Sequence, residues 1–448
     1  MTRFRFVNGH VATQGGVLPG AEIVLDGDRI ASIGAVDGST DTIDLNGGWV
    51  VPGYIDTQVN GGGGVLFNDR LDVDGIATMA AAHAVYGTTA MLPTLVSETP
   101  DKIARALDAI DEAIEAKVPG IVGIHIEGPV LNPARKGIHD PTRFRDLDEE
   151  MIAVLTRPRK GKVMLTIAPE RVPVATIRRL AEAGVLVSAG HSEASYEQAV
   201  EAFGAGVVGV THLYNAMPAM QQRVPGLAGA TLDDPRPYAG LIIDGFHVSA
   251  PMLRLAMKAR PFDKLMLVTD AMSSVGAVEK DFVLHGRHID VSGGKCTYTD
   301  GTLAGSDLDM GSAVANAVEQ LRITVDQAAA MAATHPAAFL GLGHERGALA
   351  QGCAPTGWCS TPRSSRSRRV SPRRSRSRHD GRAPRPSAGQ RGGGAGGRHG
   401  ARPGLRRQSP PGGRRGRAAH ARARGPASAR AAGAGCGPSP DGSWLGVP

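Results

Sequence analysis

The chain alternates short apolar runs with longer stretches whose apolar residues recur at helical spacing. The runs fall at about 50–58, 89–95, 121–127, 163–168, 185–191, 207–212, 239–244 and 265–270. Runs of this length separated by helix-like text read as buried parallel strands. Asp74–Tyr86, Asp101–Ala116, Ala175–Ala183 and Ser195–Phe203 carry the helical pattern between them. Eight strand–helix units predict an α/β chain folded as a (β/α)8 barrel of the TIM type, over residues 51–345. An open doubly wound sheet is the alternative. It is weakened because no glycine-rich phosphate loop follows the first strand, and because polar candidates end most strands rather than gathering at one switch point.

Residues 1–50 read differently. Phe4-Arg-Phe-Val-Asn-Gly and Glu22-Ile-Val-Leu-Asp-Gly alternate with period two between Gly and Asp turns. This predicts a small antiparallel sheet, the N-terminal part of a β-sandwich domain. A stretch at 281–303, containing Phe282-Val-Leu-His-Gly-Arg-His-Ile-Asp-Val, reads as a β insertion before a last helical pair at 309–340.

Four metal-capable side chains stand where apolar runs end: Glu127, His191, His212 and Asp270. In a parallel barrel the C-terminal strand ends converge on one mouth, where chemistry is done. Two imidazoles and a carboxylate suit a borderline metal and leave a position open for water. Asp270 is placed to take a proton from that water and return it to a leaving amine. The pattern points to a metal-dependent hydrolase. For Glu127 a structural carboxylate held by backbone amides stays open, and for Asp270 a helix N-cap before Ala271.

Composition separates the chain into two parts. From Gln351 onward there are 21 Arg, no Lys and two Asp, a net of +19, while the first 350 residues hold 29 basic and 41 acidic side chains, a net of −12. The basicity therefore belongs to the tail, 353–448, whose Arg/Gly/Pro/Ser-rich text is too poor in aliphatics to fold alone and predicts disorder. Cys296 is the one cysteine before residue 351, which fits a reducing cytosol and no internal disulfide there. No secretory signal opens the chain and no run approaches the roughly 18 apolar residues of a membrane span. These features predict a cytoplasmic protein with no membrane partner.

Several phrases then become recognisable. Pro52-Gly-Tyr-Ile-Asp-Thr-Gln-Val-Asn, His125-Ile-Glu-Gly-Pro, Ser188-Ala-Gly-His-Ser and Thr211-His-Leu-Tyr-Asn-Ala-Met-Pro occur in order. So do Pro225-Gly-Leu-Ala-Gly-Ala, Asp244-Gly-Phe-His-Val, Val268-Thr-Asp-Ala and Gly301-Thr-Leu-Ala-Gly-Ser. Together, up to about Gly352, they resemble the N-acetylglucosamine-6-phosphate deacetylase family of the amidohydrolase superfamily. The resemblance implies metal ligation by Glu127, His191 and His212, with Asp270 transferring the proton. It implies that His139, in Lys136-Gly-Ile-His, lies against the substrate and polarises its acetamide carbonyl. It implies sugar-phosphate contacts from Ile138, Asn215, Ala216, Arg223, the Asp244–His247 loop (Asp244, Gly245, Phe246, His247) and the Leu303–Gly305 loop (Leu303, Ala304, Gly305). For Arg223 a solvated loop charge is the alternative. It further implies a homodimer in which a basic residue of the neighbouring subunit completes the phosphate pocket. Many amidohydrolases carry His-x-His on the first strand for a second metal, where this chain has Gln58-Val-Asn60. Amides are poor ligands beside imidazole, so one divalent ion is expected: zinc, with iron, cobalt or manganese as alternatives. Other acylated amines or cyclic amides remain the competing substrates.

The tail admits two readings, a nucleic-acid arm or a shifted reading frame. Trp358-Cys359 must be encoded TGG-TGY, which in the next frame reads through GTG, a valine codon. With codons ending in G or C, the same frame gives aliphatic text like the last strand region of amidohydrolases. If the tail is real as written, the small domain lacks its closing strands.

Overall fold

In the computed structural model, the described residues are 3–13, 16–20, 22–26, 29–34, 41–351, 357–360 and 444–447. All belong to one compact unit, Met1–Pro372 with Gly437–Pro448. The disordered-tail and shifted-frame readings of 353–448 lie outside the described residues, apart from those two short strands.

The core is an eight-stranded parallel sheet whose neighbours follow chain order. Its strands are β1 (Tyr54–Val59), β2 (Thr88–Val96), β3 (Gly123–Glu127), β4 (Lys162–Ile167), β5 (Leu186–Ala189), β6 (Val207–Val210), β7 (Tyr238–Leu241) and β8 (Leu265–Leu267). The ladder between β8 and β1 is reduced to one bridge, Val59 to Ala271, flanked by Asp270 N–H on Gln58 O (3.0 Å) and Asn60 N–H on Ala271 O (2.8 Å). That seam closes the sheet into the expected barrel.

The helices pack outside for reasons visible in their text. Helix Pro100–Glu115 starts with proline at its first turn and turns Ile103, Ala106, Leu107, Ile110 and Ala113 inward. Helix Tyr196–Ala205 carries a reciprocal capping box, Ser195 with Gln198, and stops at Gly206 in the left-handed region. The final pair is interrupted: π-helical turns at Ala317–Leu321 and Ala330–Thr334 break 309–340 into short pieces.

The N-terminal text makes two sheets rather than one antiparallel sheet. Arg3–Val7 pairs parallel with Asp41–Asp44, and His10–Thr13 pairs parallel with Trp49–Pro52. Phe6, Ile23 and Ile30 of one sheet meet Val11 and Val50 of the other in a shared apolar cluster, so the unit is a sandwich. One expectation needs correction. Gly357–Ser360 pairs antiparallel with Trp49–Pro52, and Trp444–Val447 pairs with Gly357–Ser360 from the outside, so the sandwich has closing strands. Edge pairing uses main-chain groups, and Gly-Trp-Cys-Ser offers four residues with neither proline nor charge to oppose it.

The β insertion forms a four-stranded sheet: Phe282–Leu284, Arg287–Ser292, Lys295–Thr297 and Leu303–Ser306. Leu303–Gly305 is therefore strand, not loop, and Ser306 N–H donates to Asp270 O at 2.9 Å, tying the insertion to the barrel mouth.

Candidate metal centre and active site

Inside the barrel, below the mouth, a row of polar side chains replaces aliphatics. His125 meets Thr94 Oγ1 through Nδ1 (3.2 Å) and Thr166 Oγ1 through Nε2 (2.8 Å). Thr166 continues to Thr211, and Thr211 to Ser188, at 2.7 Å each. Burial pushes His125 down to about 4, so the ring is neutral. Two residues on, the same face of β3 presents Glu127 at the rim.

Around Glu127 the structure gathers the predicted ligands. His191 Nε2 lies 3.3 Å and His212 Nε2 3.2 Å from Glu127 Oε1, and the two imidazole nitrogens are 3.0 Å apart. His191 Nδ1 sits 2.8 Å from Arg135 O. A carbonyl only accepts, so Nδ1 carries the proton and Nε2 offers a lone pair. Ligand atoms on a tetrahedral ion with bonds of ~2.0–2.1 Å stand about 3.3 Å apart, close to these edges. The donor set fits a divalent cation. Although burial opposes its charge, the histidines hold the Glu127 carboxyl well below the usual range. Among the described residues its carboxylate meets Gln58, His139, His191 and His212 and no backbone amide, so the structural-carboxylate alternative finds no support.

His191, His212 and Asp270 all adopt left-handed backbone, at φ 50°, 34° and 53°. Each follows the end of a short strand, where the turn swings its side chain over the barrel axis. Such conformations cost roughly 1–3 kcal/mol each in non-glycine residues and persist where surroundings over-determine them.

Asp270 stands beyond β8. Gln58 Nε2 donates to Asp270 Oδ1 (3.1 Å) and to Glu127 Oε1 (3.2 Å), and Asn60 Nδ2 donates to the same Asp270 oxygen at 2.7 Å. Burial first, then the Glu127 charge, push Asp270 up to about 6. Turns rather than a helix follow it, so it is not an N-cap.

His139 joins the cluster from the loop after β3. Its Nε2 lies 3.8 Å from Glu127 Oε2, and Glu127, His139 and His191 offer ligand atoms within 4.8 Å of one another. The ring has a different tautomer from His191. Ser97 N–H donates to Nδ1 at 3.3 Å, so the imidazole proton sits on Nε2 and points into the site. Burial holds this ring well below its ordinary pKa, leaving it neutral. As a donor rather than a lone pair, His139 suits carbonyl polarisation better than ligation.

The remaining predicted residues line the rim at different depths. Asn215 Nδ2 turns back onto His212 O at 3.1 Å, and Ala216 is left-handed with its carbonyl on Ser192 N–H at 3.2 Å. Asp244 caps its own loop, accepting from Phe246 and His247 amides, and meets His247 Nδ1 at 2.6 Å. Phe246 is 44% exposed. Ile138 packs with Ala304, Met272 and Leu284 beneath the insertion. Arg223 is exposed on its loop. Sequence reading missed Ser97, Glu170, Asp56 and the polar row below the rim, all of which are ordinary residues in strands and turns.

A parallel barrel with two histidines, a glutamate and an aspartate at its C-terminal mouth defines a metal-dependent hydrolase of the amidohydrolase type. The chain belongs to the amidohydrolase family, whose sequence profile matches residues 49–355. Within that family it is 42% identical over 296 residues to N-acetylgalactosamine-6-phosphate deacetylase of Shewanella sp. (strain ANA-3), spanning 66% of this chain and 75% of that protein. It is 33% identical over 356 residues to N-acetylglucosamine-6-phosphate deacetylase of Haemophilus influenzae, spanning 78% and 93%. The crystal structure of N-acetylglucosamine-6-phosphate deacetylase from Pasteurella multocida superposes with a TM-score of 0.77 at 35% identity, covering 80% of this chain and 95% of that one. Among the described residues no helix is long and apolar enough to cross a membrane.

Proposed function

We propose that this chain hydrolyses the acetamide of N-acetyl-D-glucosamine 6-phosphate, releasing acetate and D-glucosamine 6-phosphate. The observation that carries the reading is the triangle of Glu127 Oε1, His191 Nε2 and His212 Nε2, with edges of 3.0–3.3 Å, beside the buried Asp270. Those three residues would hold one divalent ion, zinc before iron, cobalt or manganese. Such an ion supplies Lewis-acid chemistry, polarising a carbonyl and making water acidic near neutral pH. Gln58 and Asn60 turn their NH2 groups onto Glu127 and Asp270, which supports one ion rather than two.

The chain's own groups do the rest. Gln58 and Asn60 both engage Asp270 Oδ1, so Oδ2 is the oxygen that takes the proton of the attacking water. Asp270 then returns that proton to the amine as the C–N bond breaks. His139 donates Nε2–H to the acetamide oxygen, where negative charge grows. Arg223, exposed near the mouth, grips the phosphate, and Asn215, Ala216, Ile138, the Asp244–His247 loop and the Leu303–Gly305 strand frame the sugar. We extend the reading to a cytoplasmic homodimer whose neighbouring subunit completes the phosphate pocket.

The Shewanella relative favours a second reading, N-acetylgalactosamine 6-phosphate, with the same chemistry. Acetate release from both sugar phosphates, before and after chelation and with each divalent metal restored, separates the two. Asp270→Asn is expected to lower kcat by about 10²–10⁴-fold on the true substrate. A metal-loaded wild type that releases acetate from neither sugar sinks the proposal.

A further inference from the structure

Strands β3, β5 and β6 each lead into a ligand, whereas β4 between them leads into none. β4 is followed by the short turn Pro169–Arg171, which carries Glu170. Its carboxylate takes three hydrogen bonds from two other loops. Oε1 accepts from Asn132 Nδ2 at 2.9 Å and from the Glu193 amide at 2.7 Å, and Oε2 accepts from Ser192 Oγ at 2.7 Å. All three donors are uncharged.

Both loops end on His191. Asn132 N–H donates to His191 O at 2.9 Å, and its Oδ1 caps the turn Pro133–Arg135 by accepting from Ala134 N–H at 2.9 Å. The last residue of that turn, Arg135, presents the carbonyl that takes the His191 Nδ1 proton at 2.8 Å. On the other side Ser192 and Glu193 directly follow His191, whose backbone is left-handed at φ 50°. An unfavourable backbone conformation is kept only where neighbours fix it from several sides. Glu170 reaches both sides, holding the main chain after His191 and, through Asn132, the turn that orients its ring.

We infer that Glu170 is the positioning residue of the metal centre, acting through His191 by hydrogen bonding rather than by its charge. The inference rests on the proposed metal centre. It makes a distinction that geometry can supply. In Glu170→Gln the side-chain oxygen still accepts from Asn132 and Glu193, and the new NH2 donates to Ser192 Oγ once that hydroxyl rotates. In Glu170→Ala all three bonds are gone.

The test is competition for zinc ion between a chromophoric chelator and the full-length chain, with Tm of the metal-free protein measured alongside. Partners that orient ligands are typically worth 10–100-fold in metal affinity. Glu170→Ala is expected to weaken zinc by that factor, with Glu170→Gln within about threefold of wild type and the metal-free Tm values alike. With zinc restored to saturation, Glu170→Ala should recover most of its kcat at unchanged KM. Equal zinc affinity in Glu170→Ala and wild type overturns the inference. So does a Glu170→Gln variant as weak as Glu170→Ala, since charge would then be the active property. A fall in metal-free Tm with unaltered affinity makes Glu170 merely structural. If Glu170→Ala fails to fold, Asn132→Ala and Ser192→Ala each cut one arm, and wild-type affinity in both is equally fatal. A wild type that binds no divalent ion refutes the metal centre itself, a separate outcome.

Discussion

Asp56, on the first barrel strand, offers a quantitative test of how the floor of the site is built. Its carboxylate is fully buried between β1 and the text after β8, accepting from Gln58 N–H (3.2 Å), Thr269 N–H (3.3 Å) and Thr269 Oγ1 (2.5 Å). Burial outweighs these bonds and pushes its pKa from 3.8 up to about 7. An acid with a raised folded pKa binds its proton more tightly folded than unfolded. The folded state therefore loses stability as pH climbs from about 4 through 7, at ~1.4 kcal/mol per unit, or about 4 kcal/mol over the window at most. Asn mimics the protonated side chain, because Thr269 Oγ1 can redirect its hydrogen to Gln58 O, 3.4 Å away. Urea unfolding of the metal-free protein at pH 4.5–8 (about half-unit steps) should show the wild type losing several kcal/mol more than Asp56→Asn across that range. Parallel pH profiles for the two proteins would refute the reasoning.

Other outcomes follow from neighbouring contacts. Ser97→Ala removes the hydroxyl 2.8 Å from His139 Nδ1 but keeps the backbone donor, so kcat should fall only about 5–10-fold with KM little changed; steady-state kinetics decide it. Gly305→Ala would place a Cβ 2.6 Å from Met272 Sδ and 2.9 Å from Asp270 O at φ +59°, and should lower Tm measurably and deacetylation more than tenfold, read by thermal unfolding and acetate release. Resequencing the gene upstream of the codon for Trp358 is expected to reveal a one-base slip. An uninterrupted frame ends that idea.

The barrel and the cluster of Glu127, His191, His212 and Asp270 at its mouth were legible because each relied on a strong, local signal. Eight apolar runs ending in Glu127, His191, His212 or Asp270, or in other polar text, encode both the strands and the direction in which their side chains converge. The small sandwich was read less well. Alternation in Phe4-Arg-Phe-Val shows a strand, but nothing in it says that Asp41–Asp44 will lie parallel beside it. Pairing partners far apart in sequence are settled by the three-dimensional core, here Phe6, Val11 and Ile30. Ser97, Asp56 and Glu170 escaped notice for another reason. Their significance lies in what they touch, and a serine after Val96 or a glutamate after Pro169 has no special spacing. His125 was visible only as part of a phrase, although its neighbours Thr94, Thr166 and Thr211 form a buried row.

The seam between β1 and β8 has a bearing on synthesis. Gln58 and Asp270, which share a hydrogen bond there, are 212 residues apart, and the strand Leu303–Ser306 must still arrive to hold the Asp270 carbonyl. A growing polypeptide thus carries Glu127, His191 and His212 before Asp270 is seated beside them. Fragments ending before about residue 306 are expected to stay inert, so that turnover becomes a reporter of a finished barrel.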